Sequence, residues 1–121
     1  MAPTSLPGQI TQTSPYGRDV NQCGYPIRVC EMLAQLDGPE YLARVTVNSV
    51  KEVRRAKAAI KKAFQNQVDK KGFSLVEVLS ACPTNWGLTP AAALRWIDEK
   101  MIPYYPLGVY KDRSAQKEDE K

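Results

Sequence analysis

The sequence predicts an α/β fold built on a βαβ unit, on three observations. Tyr41 to Val47 (YLARVTV) is β-branched and apolar enough for a strand. Ser49-Val50-Lys51-Glu52 has the S-x-x-E spacing of a capping box, in which a hydroxyl and a carboxylate satisfy free amides at a helix start. Val53, Ala56, Ile60, Phe64 and Val68 then recur at three- and four-residue intervals, so one apolar stripe faces a core until Gly72 stops the helix. Phe73 to Ser80 (FSLVEVLS) is an almost unbroken apolar run, the pattern of a parallel strand buried on both faces. Strand, helix and strand in this order make a right-handed βαβ unit. Ala56, Ala59 and Ala63 permit close approach to the sheet. Glu77 interrupts the second strand, and a structural pair with a basic neighbour such as Arg44 is its simplest role, a catalytic acid the alternative.

The flanking segments are read in chain order. Residues 1–24 mix Pro, Gly, Thr, Ser and Gln without apolar periodicity and predict an extended loop with turns near Pro7-Gly8 and Pro15-Tyr16-Gly17. A loop of that length is usually functional or disordered. A helix is expected over 26–37, with Pro26 in its first position, Val29, Met32, Leu33 and Leu36 as its stripe, Cys30 as a half-buried thiol within it, and Gly38-Pro39 at its end. Thr89 and Pro90 form the N-cap and first residue of a last helix carrying Ala93, Leu94, Ile97 and Met101, which Pro103 should end. Tyr104 to Tyr110 should pack extended against another surface. Residues 1–110 are therefore expected to form part of one domain, followed by a disordered mixed-charge tail over 111–121. Two strands and three helices do not close a layered domain, so the missing strands are expected from elsewhere.

Composition narrows the function. The 121 residues are 43% hydrophobic and 25% charged, as in ordinary globular proteins, and no apolar run approaches the roughly 18 residues of a membrane span. With no signal-peptide pattern, the expected address is the cytoplasm. Histidine is absent, which removes Ser-His-Asp and Cys-His catalysis and histidine metal sites. Cys23, Cys30 and Cys82 are too few and scattered for a disulfide framework. The net charge of +4 comes from residues 50–71, where eight basic residues face only Glu52 and Asp69. A charge run on one helix ordinarily marks its solvated face, and this one lacks the interleaved aromatics of a single-strand binder, so nucleic-acid binding is not expected. Neither G-x-x-x-x-G-K-[ST] nor G-x-G-x-x-G occurs. Ligands of open α/β sheets bind beyond the carboxyl ends of strands, where Asn48-Ser49 and Cys82-Pro83-Thr84-Asn85-Trp86-Gly87 lie. Cys82 could there be a metal ligand, a nucleophile or a packing residue, the nucleophile being least supported without a histidine base.

Several segments together, MAPTSLPGQ, TSPYGRD, GYPIRVCEMLAQLDGPEYLARV, KKAFQ, GFSLVEVLSACPTNWGLTP and EKMIPYYPLGVYK, resemble the C-terminal half of the β subunit of 2-oxoacid:ferredoxin oxidoreductases of the 2-oxoglutarate synthase and ketoisovalerate oxidoreductase type. The resemblance covers about residues 1–111, and CPTNWG and MIPYYPLG are its most specific parts. It implies a partial thiamine-diphosphate-binding fold. It also implies a part in CoA-dependent oxidative decarboxylation of a 2-oxoacid, with electrons passing through [4Fe–4S] clusters to ferredoxin. Family β subunits hold thiamine diphosphate and Mg²⁺ through a Gly-Asp-Gly motif and a later Asn, neither of which is found here, and the family's C-x-x-C pair is also missing. Met1 falls at an internal methionine of the family, which implies a truncated, split or cut β subunit, inactive alone. Its partners would be the missing N-terminal half, the α subunit, γ and δ subunits where present, and ferredoxin. Cys82 corresponds to the fourth thiolate of a [4Fe–4S] cluster, whereas Cys23 and Cys30 match no cluster position. No catalytic residue is assigned. The loop over 13–18 would lie near the active-site mouth or the α-subunit contact, where Arg18 could pair with a carboxylate or a CoA phosphate. The alternative function is a non-catalytic interaction module left after loss of the cofactor-binding half.

Overall fold

The computed structural model describes residues 2–115, which form two compact units, one from residues 2–28 and 80–105 and the other from 29–79 and 106–115. The second unit holds the sheet. Its strands are β1 (Tyr41–Thr46), β2 (Ser74–Leu79) and β3 (Gly108–Asp112), in spatial order β2-β1-β3. The expected βαβ unit is present: β1 and β2 pair in parallel, Tyr41 to Thr46 beside Ser74 to Leu79, and a helix of 19 residues, Val50–Val68, joins them. The Ser49 hydroxyl accepts the Glu52 amide at 3.3 Å at the start of that helix, as the capping spacing predicts. The Thr46 hydroxyl donates to the Leu79 carbonyl at 2.9 Å, tying the two strand ends.

Two expectations about the sheet are corrected. All six residues of β1 are buried, and β2 is half-exposed, so the fully covered strand is the first and not the second. The second edge of β1 is closed by this chain itself: β3 pairs with it antiparallel, through a register shift between Leu42 and Ala43. The segment expected merely to pack extended is thus a strand, and Lys111 and Asp112, expected to open the tail, belong to it. Residues 116–121 of that tail lie outside the described residues.

The helices of this unit bury only part of the expected faces: Ala56, Ala59 and Ala63 of the long helix approach the sheet as expected, and the larger stripe residues do not. The long helix seats Ala56 and Ala59 against Tyr41, Ala43 and Val45, with Ala63 and Val76 packed alongside, and turns Val53, Ile60, Phe64 and Val68 toward solvent. Small side chains win the sheet-facing positions because they let the helix backbone come close. The first helix of the unit, Val29–Ala34, is shorter than the expected 26–37; the Gln35 and Leu36 amides bond only three residues back, and Cys30, not Met32 or Leu36, is its buried residue.

In the other unit the N-terminal segment has its turns where expected and adds a short helix, Val20–Cys23, capped by the Asp19 carboxylate at the Asn21 amide. The Gly8 amide donates to the Arg18 carbonyl at 2.9 Å, and a side chain on Gly17 would put its Cβ 2.8 Å from the Gly8 oxygen at a φ of +80, so only glycine fits there. The Gln12 amide reaches the Asn85 carbonyl at 2.9 Å and the Tyr105 hydroxyl reaches the Thr4 carbonyl at 3.0 Å, so this loop is anchored within its unit. The last helix starts at the Thr89 cap as predicted, over Pro90–Trp96, but does not stop at Pro103. It widens into a π turn over Ile97–Met101, with the Ile102 amide bonded five residues back to Ile97, and continues over Ile102–Tyr104. A wider turn accommodates a residue that lacks an amide and crowds the carbonyl before it. Ala93, Ile97, Met101 and Tyr105 are its buried residues.

Ala56→Leu, at the buried helix–sheet contact, should lower the urea-unfolding free energy by about 1–3 kcal/mol through overpacking. The outward Phe64→Ser should stay within about 0.5 kcal/mol of the parent.

Candidate functional site

The most interconnected polar cluster lies on the sheet face opposite the long helix. β1 alternates, so Tyr41, Ala43 and Val45 face the helix while Leu42, Arg44 and Thr46 face the other way. Arg44 sits at the centre of that face, directly beside Glu77 of β2 and Gly108 of β3. Its Nε donates to Glu77 at 2.8 Å, and its two terminal nitrogens grip both oxygens of Glu31 at 2.8 and 2.6 Å. Nη1 also donates to the Tyr110 hydroxyl at 2.8 Å and the Pro106 carbonyl at 3.3 Å, and the Tyr110 ring lies 5.0 Å from the guanidinium carbon. Tyr110 in turn donates to the Pro106 carbonyl. The expected Arg44–Glu77 pair is present, and Glu31 and Tyr110 are the partners that sequence reasoning missed.

Burial and pairing fix the charge states of this cluster. Burial by itself lowers the Arg44 pKa, and the bonds to Glu31 and Glu77 more than reverse that and raise it, so the guanidinium stays charged. The bond from Arg44 holds the Glu31 carboxyl below its ordinary range against the desolvation that would raise it. The fully buried Cys30 thiol is pushed up to about 12, first by desolvation and then by its bond with Glu77. Tyr110 is raised, chiefly by burial. At neutral pH the cluster thus holds a permanent cation, ionised Glu31 and a protonated thiol. Its chemistry is that of a clamp on three strands and one helix: the arginine donors are engaged, and the thiol is held as a non-nucleophile.

Arg18, expected at the active-site mouth, is also a clamp. It is buried, and its five N–H groups meet five backbone carbonyls, those of Gly24, Ala2, Ser5, Cys23 and Tyr25, at 2.8–3.4 Å. A fork so occupied has no donor left for a carboxylate or a phosphate, which corrects that expectation. Cys82 is an exposed thiol at the N-cap of a one-turn helix, Pro83–Trp86, whose first position is proline and whose C-cap is Gly87 in the left-handed region at φ 66 and ψ 33. The Trp86 amide donates to the Cys82 carbonyl at 3.0 Å, and the Trp86 ring packs 4.9 Å from that of Trp96. The CPTNWG segment is therefore a closed turn that presents its cysteine outward. Cys23 is exposed as well.

Among the described residues no group of three or more Cys, Asp or Glu is placed to hold a metal ion. Glu31 and Glu77 are spent on Arg44, Cys30 is buried and protonated, and Cys82 stands as a lone exposed thiol. The donor set of these residues does not by itself fit Mg²⁺ or a [4Fe–4S] cluster. A concavity of the sheet unit, about 460 Å³, lies on the long-helix side between Tyr41, Ala43, Arg55, Lys62 and Val109. Lys62 there pairs with Asp112 and lies 5.0 Å from the Tyr41 ring centre.

Sequence comparison supplies what this geometry does not. The chain is 45% identical over 118 residues, 98% of its length, to ketoisovalerate oxidoreductase subunit VorA of Methanothermobacter thermautotrophicus. This chain is a homologue of part of a 2-oxoacid oxidoreductase subunit. The VorA subunit of Methanothermobacter marburgensis is 43% identical over the same length, and 2-oxoglutarate synthase subunit KorB of Methanocaldococcus jannaschii is 33% identical over 120 residues. The chain spans 25% of either VorA subunit and 40% of that KorB subunit. No family model and no solved structure matches it. The 2-oxoacid:ferredoxin oxidoreductase resemblance drawn from the sequence is thus confirmed, and the fold class is the expected α/β, with β3 added to the two strands expected.

Arg44→Met should lower stability by roughly 3–5 kcal/mol, toward the lower end because Glu31 keeps partial access to water. Because the folded pKa of Glu31 lies below its ordinary 4.5, its stabilisation is fully present above that value and is lost as pH falls through the folded pKa. Stability of Glu31→Gln should therefore fall less steeply on acidification below about pH 4.5 than that of the parent. With a thiol reagent at pH 8, Cys23 and Cys82 should react in the native chain and Cys30 only after unfolding.

Proposed function

We propose that this chain serves as one part of the β subunit of a 2-oxoacid:ferredoxin oxidoreductase, an enzyme of CoA-dependent oxidative decarboxylation acting on 2-oxoglutarate or a branched-chain 2-oxoacid. The observation that carries this reading is 45% identity over 98% of the chain to a named ketoisovalerate oxidoreductase subunit. In the complete enzyme, thiamine diphosphate would stabilise the carbanion of decarboxylation and iron–sulfur clusters would carry the electrons to ferredoxin. The described residues are not suited to hold the diphosphate and Mg²⁺ themselves, so those groups would belong to other parts of the assembly, and the chain alone would be inactive.

What this chain would contribute is a scaffold and one ligand. The Arg44 clamp would hold the sheet rigid, and the Pro83–Trp86 turn would present the Cys82 thiol outward as one of four thiolates of a [4Fe–4S] cluster, the other three coming from outside the described residues. The partners follow from that division: the remainder of the β subunit, the α and further subunits, and ferredoxin. The proposed place of work is the cytoplasm; among the described residues no helix is long and apolar enough to cross a membrane.

Co-expression with the other subunits and the upstream half of the β subunit should give thiamine binding and 2-oxoacid oxidation that the chain alone lacks. Absence of both from the assembled set would refute the reading. Within an active assembly, Cys82→Ala should remove about four iron atoms per complex and slow electron transfer. Unchanged iron content and transfer would show that Cys82 is not a ligand.

A further inference from the structure

We propose that the outer edge of β2, with the apolar stripe of the Val50–Val68 helix beside it, is the docking surface for a strand and a helix from the remainder of a 2-oxoacid oxidoreductase subunit. This rests on the reading under Proposed function and assigns that remainder a place on this chain.

The two edges of the sheet differ. β3 ends in Lys111 and Asp112, pairs through a register shift and carries charge at its rim, features that discourage further pairing. β2 reads Ser-Leu-Val-Glu-Val-Leu, and its single charge, Glu77, is turned to Arg44 on the covered face. Its outer backbone groups form a continuous, uncharged row, which is a ready template for another strand. Ser74, Val76 and Val78 share the face of Tyr41, Ala43 and Val45, and Val78 remains 38% exposed.

The long helix continues that open edge. With its alanines seated on β1, it leaves Val53, Ile60 and Phe64 at 37%, 39% and 69% exposure. Ile60 and Phe64 overhang β2 and line a groove of about 220 Å³ with Ala63, Gln67, Ser74 and Val76. A free strand edge under a free apolar helix stripe is half of a layered α/β contact, and the complementary half is another strand with its own helix. The homology indicates where that half resides. VorA of Methanothermobacter thermautotrophicus matches 98% of this chain with only a quarter of its own length, so most of such a subunit lies outside the match. Lys57 and Lys61 stand one turn before Ile60 and Phe64, so carboxylates are expected along the rim of the added helix.

The full chain, co-expressed with the part of that VorA lying outside the match, tests this by amide hydrogen exchange and by affinity. Alternate amides of β2 should slow at least about tenfold in the complex, and Ile60→Lys and Phe64→Lys should each weaken association by about tenfold or more, while Val109→Lys on β3 should not. Because Ile60 and Phe64 are solvent-accessible, both variants should keep the parent's unfolding midpoint, which separates lost docking from lost folding. A complex with unchanged β2 exchange, or one indifferent to both lysine variants, would overturn the proposal and leave the proposed function standing. Protection of β2 in a dimer of the lone chain would overturn it in favour of a second copy. Failure of any complex to form would overturn the proposed function and the docking surface together.

Discussion

The sheet unit depends on one buried cation. Arg44 is in the middle of the central strand, where a charge without partners would cost several kcal/mol, and every element around it contributes an oxygen: Glu31 from the Val29–Ala34 helix, Glu77 from β2, Tyr110 from β3 and the carbonyl of Pro106. A pair of isosteric apolar residues could be as stable, so the ion cluster is best understood through specificity. A planar fork with fixed donor directions accepts one register of β2, one of β3 and one position of the helix, and penalises any slip by leaving a carboxylate or the guanidinium unmatched. The other unit uses the same device on a loop, where the five donors of Arg18 gather five carbonyls that regular structure does not satisfy.

This logic separates what was legible in the sequence from what was not. Local signals identified the βαβ unit: the Ser49 capping box, the strand composition of YLARVTV and the apolar run before Cys82 all act within a few residues. The Arg44–Glu77 pair was legible too, because an isolated charge in each of two strands of one sheet calls for a partner. Glu31 and Tyr110 were not, since they lie 13 and 66 residues from Arg44 and nothing in their own neighbourhoods marks them. β3 escaped for a related reason: Gly-Val-Tyr-Lys-Asp carries weak strand character, and it becomes a strand because the second edge of β1 requires a partner.

The long helix was read with the right cap and the right alanine contacts, but with its larger stripe residues wrongly turned to the core. Periodicity finds a stripe, and the largest side chains seemed to define it, but Ala56 and Ala59 hold the contact with β1 because a helix laid on a sheet gains most where the backbones approach closest. The displaced stripe of Ile60 and Phe64 is left exposed and is the face on which the proposed docking rests. Arg18 teaches the converse lesson. A guanidinium in a Pro- and Gly-rich loop invites a ligand-binding role, and the loop's own carbonyls consumed it first. Cys82, by contrast, is presented outward, from a turn begun by a proline and ended by a glycine.

The central claim is that Arg44 makes β1 and β3 a single cooperative element, and native-state hydrogen exchange across a denaturant series measures this most directly. The account predicts that the amides of Leu42 to Val45 and of Val109 to Lys111 exchange through one shared opening, whose free energy falls equally for both strands in Arg44→Met. Independent opening of β3 in the parent chain, or exchange in Arg44→Met indistinguishable from the parent, would contradict it.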